Sequence, residues 1–328
     1  MIITIYPWQI NTWGQLLGLR AKLPQALLIH GPSGVGKLAL AELFTQILLC
    51  EAPGELQAPC GRCEGCRWFL AGSHPDFRRL EPETLAQQRI SAAVEDEPAP
   101  AGAKPQKASS EIKIDQVREL DAFLNLRSHR GGRRVVLVHP AEAMNLNAAN
   151  ALLKGLEEPQ ADAHFILVSH RPARLLPTIR SRCVALPVAL PRPEVAGPWL
   201  KEQRVADGEQ WLAFAGGAPL RAVEYATGAG EHVSRYRQAL GARDFDALAA
   251  VNDREQLEAL AEVLQKYALD VALASYAGRA RFGGAKGSPN AAAWLRYARQ
   301  MGKNRLLASH PLNPRLFAGE MIAGMPKA

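Results

Sequence analysis

The sequence predicts an α/β domain built on a parallel sheet with helices on both faces, followed by a chain that is almost wholly helical. Three observations carry this. Short apolar runs at 26–30, 135–138 and 165–168 alternate with stretches of helical spacing, the pattern of strand–helix–strand units. A proline-rich joint at 186–198 (LPVALPRPEVAGP) closes that pattern. Beyond it apolar residues recur at helical intervals, broken by Gly216-Gly217 and by a glycine-rich loop at 283–287.

Taken in order, Ala26-Leu27-Leu28-Ile29-His30 runs into Gly31-Pro32-Ser33-Gly34-Val35-Gly36-Lys37. Leu38, Leu40, Ala41, Leu43, Phe44, Ile47 and Leu48 follow at helical spacing, so the unit reads strand, glycine-rich turn, helix. A cysteine cluster comes directly after. From about 81 to 110 the composition shifts to Pro, Ala, Ser and charge without an apolar period, which predicts a flexible insertion. Ile112, Ile114, Val117, Leu120, Phe123 and Leu124 then mark an amphipathic helix that Asp115 is placed to cap. The loop Gly131-Gly132-Arg133-Arg134 leads into the second strand. A helix over 147–158 stops at Pro159, and the third strand leads through a short helix to Ser181-Arg182-Cys183.

A chain of 328 residues exceeds one ordinary core, and 48% hydrophobic with 22% charged residues excludes wholesale disorder. No run reaches the roughly 18 apolar residues of a membrane helix, and the start lacks a basic region before its apolar part. A soluble, cytoplasmic protein is expected. Lysine and arginine outnumber acids 39 to 32, a balance that suits work near nucleic acid and is also common without it.

Gly31, Gly34, Gly36 and Lys37 match G-x-x-x-x-G-K in the strand-to-helix setting that the motif needs. Its backbone N–H groups and the helix N-terminus suit a phosphate, and Lys37 adds charge; a tight turn that binds nothing is the plainer reading. The next position should carry the hydroxyl that holds Mg²⁺, yet it is Leu38. The second strand should end in acids, yet His139, Pro140 and Ala141 follow it, with Glu142 several residues too late. Binding of ATP or ADP without Mg²⁺ and without turnover, or no binding, is therefore expected.

Cys50, Cys60, Cys63 and Cys66 are spaced C-x9-C-x2-C-x2-C, and Cys183 stands alone as a small buried residue. Four clustered thiols without a secretory signal read as a metal site, not a disulfide framework. A closed S₄ shell is how structural zinc is held; an iron–sulfur cluster or free thiols are the alternatives, and the spacing fits neither common ferredoxin run.

The run from Asn150 through Glu157-Glu158-Pro159, with 165–168, Thr178-Ile179-Arg180 and Ser181-Arg182-Cys183, resembles the clamp-loader branch of AAA+ proteins. The four-cysteine module narrows the resemblance to the bacterial DNA polymerase III clamp-loader subunits. Smaller matches are Pro7-Trp8-Gln9 with Trp13, residues 23–29, Ile114-Asp115-Gln116-Val117-Arg118, and residues 312–317. The eroded metal positions favour the stator-type subunit over the ATP-hydrolysing gamma/tau type.

The resemblance implies three parts: a RecA-like AAA+ domain over 1–188, a helical lid over 189–230 and a helical collar over 231–328. It implies a ring with gamma/tau-like motor subunits and a delta-like subunit, which loads a sliding clamp on primed DNA. Arg182 is then an arginine finger acting in trans on a neighbour's ATP, the alternative being a surface ion pair. Arg221 matches the lid arginine that touches nucleotide, or else bridges lid and core. Arg118, Arg127, Arg130, Arg133 and Arg134 form a basic run that either faces DNA phosphates or lies on a solvated loop. Two other classes compete with the assembly subunit: a self-sufficient ATPase and a zinc-stabilised nucleic-acid-binding module.

Overall fold

The computed structural model describes residues 5–52, 57–93, 108–125, 128–129, 132–158, 162–227, 230–283, 285–308 and 313–326. Arg127, Arg130, Pro159, Leu312 and residues 94–107 of the expected insertion lie outside them. The chain divides into two compact units, Met1–Leu190 and Pro191–Ala328.

In the first unit, strands β1 (Ala26–His30), β2 (Phe77–Leu80), β3 (Arg134–Val138), β4 (Ala163–Ser169) and β5 (Val184–Pro187) form one sheet in the order β2-β3-β4-β1-β5. Every pairing is parallel, with Leu28 opposite Leu167 and Val136 opposite Phe165. Successive side chains of a strand point to opposite faces, so continuous apolar runs must be covered on both. Leu27, Ile29, Val135, Leu137, Ile166 and Val168 pack one face beneath α1 (Ile10–Leu19) and α2 (Lys37–Leu48). Leu28, Val136, Val138, Phe165 and Leu167 pack the other, with α5 (Ile114–Asn125), α6 (Leu146–Glu157) and α7 (Pro177–Arg182). Between these lie α3 (Glu64–Leu70) and α4 (Glu83–Ala93).

Three sequence expectations need correction. Strands β2 and β5 are additional to the three foreseen: Arg78 and Arg79 interrupt the apolar run of β2, which is an edge strand paired on one side only. The stretch expected as insertion carries α4, held by polar contacts and not by an apolar stripe. Arg89 bonds Glu81, and Glu83 accepts from Ser109 N and Lys113. Asp115 sits inside the first turn of α5, 3.5 Å from Arg118, and is not its cap.

Among its described residues the second unit holds helices and no strand: α8 (Pro193–Glu202), α9 (Gly208–Phe214), α10 (Pro219–Ala226), α11 (Glu231–Ala242), α12 (Phe245–Ala249), α13 (Arg254–Ala277), α14 (Ala291–Leu307) and α15 (Pro314–Ala323). Ala196, Leu200, Leu212 and Ala222 make a small core among α8–α10. Phe214 and Tyr225 instead join the larger core of α11–α15, around Tyr236, Leu260, Leu264, Trp294 and Met301. Among the described residues no helix is long and apolar enough to cross a membrane.

Candidate functional site

The phosphate loop spans the end of β1 and the start of α2. Gly31 and Gly36 have positive φ, +151° and +79°, and both are crowded. A Cβ at Gly31 would lie 2.1 Å from the Val188 carbonyl oxygen, and one at Gly36 2.5 Å from the Tyr6 ring. The chain's own N-terminal segment covers the loop. Gln9 Nε2 donates to the Val35 and Gly36 carbonyls at 2.8 and 2.9 Å, Trp8 Nε1 donates to Val35 O at 3.0 Å, and Tyr6 stacks on Trp8. Lys37 is buried and donates back to Pro32 O at 2.5 Å. Burial pushes its ammonium down to about 8, partly opposed by the charge of Glu142. Leu38 packs against the core.

Tertiary structure brings groups to Lys37 that no spacing announced. His139 and His170, at the ends of β3 and β4, meet edge to face with ring centroids 5.3 Å apart. Glu142 Oε1 accepts from His170 N at 2.8 Å. Burial, then neighbouring positive charge, pushes His139 down to about 3 and His170 to about 4. The position after β3, where a metal-dependent hydrolase places an acid, therefore holds the imidazole of His139, with that of His170 from the end of β4 beside it.

The four cysteines converge at the end of α2 and the start of α3, with all sulfur atoms within 4.8 Å of one another. Cys50 and Cys63 are 3.9 Å apart, as are Cys60 and Cys66. A tetrahedron with zinc–sulfur bonds of roughly 2.3 Å has edges of about 3.8 Å, so the donor set fits that ion. Burial raises the thiols of Cys50 and Cys66, whereas backbone N–H groups of Cys60, Cys63 and Cys66 point at the sulfurs of Cys50, Cys60 and Cys63 at 3.3–3.5 Å. Those of Arg62 and Cys63 bring the Cys60 thiol down to about 6. Cys183 packs against the core with its thiol pushed up to about 11 by burial.

Arg182 ends α7. Its Nη1 donates to Thr178 O at 3.1 Å and its Nη2 pairs with Glu157 Oε1 at 2.5 Å; the two side chains are 35% and 47% exposed. Arg221, on α10, is committed within its own unit. Its Nη2 donates to both oxygens of Glu262 at 3.0 and 2.9 Å, and its Nε to Tyr225 Oη. The basic run is not one surface. Arg134 is buried, and its Nη1 donates to Phe123 O and Leu124 O at the end of α5, which removes it from the candidate phosphate contacts. Arg133 donates to Arg20 O, while Arg118 is exposed.

The family model for DNA polymerase III, delta subunit, matches residues 17–191, more than half of the chain. The DNA polymerase III subunit delta' of Pseudomonas aeruginosa is 45% identical over 222 residues, 66% of this chain and 60% of that protein. The subunit delta' of Escherichia coli is 34% identical over 210 residues, 63% of this chain and 56% of that protein. The chain thus spans about three fifths of the length of the curated relatives it matches. A DNA polymerase III gamma subunit-related protein of Thermotoga maritima has the same fold. It matches with a TM-score of 0.51 and 18% identity, over 95% of this chain and 97% of that one.

Proposed function

Because the chain belongs to the DNA polymerase III delta-prime family, we propose that it is a non-hydrolysing, stator-like subunit of a clamp loader. In this reading it assembles with gamma/tau-like and delta-like subunits, helps to load a sliding clamp on primed DNA, and contributes Arg182 in trans to a neighbour's ATP. The observation that carries it is a phosphate loop with Lys37 bonded to Pro32 O, Leu38 in the hydroxyl position and His139 in the acid position. Such a loop lacks the parts that hold Mg²⁺ and orient water, whereas Arg182 stands partly exposed at the end of α7. The four cysteines hold structural zinc, closing their shell to substrate. Arg221 serves the helical unit and not a nucleotide. Arg118, Arg127, Arg130 and Arg133 are the basic residues left for phosphate contact.

The test is DNA-stimulated ATP hydrolysis by a clamp loader rebuilt with motor and delta-like subunits, with the chain, without it, and with Arg182→Ala. We expect the chain to be required for assembly. Arg182→Ala should slow the site it completes by about 10³-fold, the scale of an arginine finger, with the complex intact. Unchanged turnover in an intact complex refutes the trans role. Mg²⁺-dependent turnover by the isolated chain refutes the non-hydrolysing reading.

A further inference from the structure

The reading of Arg182 leaves one charged partner without a role. Glu157 is the last residue of α6, whose turn is anchored by buried Leu152 and Leu156, and Arg182 is the last residue of α7, anchored by buried Ile179. Two helix C-termini thus converge, each with outward carbonyls that favour a cation beside them. The guanidinium spans the two helices: one nitrogen bonds Thr178 O, in the first turn of its own helix, and the other the Glu157 carboxylate.

We infer that Glu157 is a positioning residue for Arg182, holding its guanidinium in one orientation at the surface. The inference rests on the trans-acting reading above. A guanidinium has five N–H donors in a rigid fork, and these contacts use two, so the fork is fixed while donors remain for a phosphoryl oxygen. Without the carboxylate, a long side chain on the protein surface regains its rotamers and must be ordered anew at each encounter. The opposite role, a trap that competes with the phosphoryl group, demands a strong pair. Half-exposed pairs of this kind are weak, and a multiply charged phosphate outcompetes one carboxylate.

The test uses the rebuilt complex with Glu157→Gln, Glu157→Asp, Arg182→Ala and the Glu157→Gln/Arg182→Ala double variant. For Glu157→Gln we expect kcat to fall about two- to fivefold with KM for ATP unchanged, the loss of an effect felt in the transition state. Glu157→Asp should recover part of it, and the double variant should be no slower than Arg182→Ala alone. Faster turnover by Glu157→Gln makes the carboxylate a trap and overturns the inference. So does unchanged turnover, or an equal fall on the Arg182→Ala background. If Arg182→Ala itself leaves turnover intact, the reading beneath fails first, which the single variant shows. Unfolding of the isolated Glu157→Gln chain should match that of the unaltered chain, because the pair lies on the surface.

Discussion

Glu262, on α13, is where the charges of the helical unit converge, and its removal puts a number on the role of Arg221. The carboxylate, 9% exposed, accepts two bonds from Arg221 and one from Tyr225 Oη at 2.8 Å. It also pairs with Lys266 at 2.7 Å and Arg305 at 3.6 Å. Burial alone would raise this carboxyl, but Lys266, Arg221 and Arg305 overcome burial and hold it at about 2. Glu262→Ala leaves Lys266, 14% exposed, unpaired beside two arginines that are each 31% exposed. Breaking a buried pair by deleting one partner costs about 3–5 kcal/mol. Here both arginines regain water, which places the loss at the lower end, about 3 kcal/mol. For a helical unit of this size that is a fall of roughly 10 °C in its transition by scanning calorimetry. Glu258→Ala, which removes only the exposed Arg254 pair, is the control and should move it by about 1 °C. The folded carboxyl titrates below its ordinary value of 4.5, so its contribution is complete above that pH and lost as pH falls toward about 2. The difference between variant and unaltered chain should therefore shrink across that window. A shift under about 3 °C at neutral pH would refute the convergence argument and release Arg221 for another role.

Two further outcomes follow. Cys66→Ser, at a buried donor, should abolish stoichiometric zinc measured by atomic emission and lower the first transition of the first unit, as chelation of the unaltered chain should. Gly36→Ala drives a Cβ to 2.5 Å from the Tyr6 ring at φ +79°, so we expect a loss of about 2–3 kcal/mol in denaturant unfolding. A neutral result there would mean that the N-terminal cover of the phosphate loop lifts at little cost.

Much of the architecture was legible before any coordinates. The apolar runs of β1, β3 and β4 announced strands buried on both faces, because a run without alternation must be covered on both sides. Strand β2 and helix α4 were not legible, since Arg78 and Arg79 break the run of one and bonds of Glu81, Glu83 and Arg89 hold the other. In the candidate site, the four cysteines and the missing hydroxyl at Leu38 could be read directly, because spacing and residue type are local properties. The burial of Arg134 could not, for a glycine-flanked arginine pair looks the same whether it meets solvent or a helix end.

The sequence by itself determined that this chain builds a parallel α/β unit with a G-x-x-x-x-G-K loop followed by Leu38, a four-cysteine set with metal-site spacing and a helical second unit. Tertiary structure alone decided what those parts touch. It laid Trp8 and Gln9 over the carbonyls of Val35 and Gly36, turned Lys37 back to Pro32, and set His139 and His170 beside that lysine. It also gave Arg221 to Glu262 and Arg182 to Glu157. The physical reason is range. Helix and strand periods are written in neighbouring residues, whereas the partner of a charged side chain is whichever group chain closure delivers within about 4 Å.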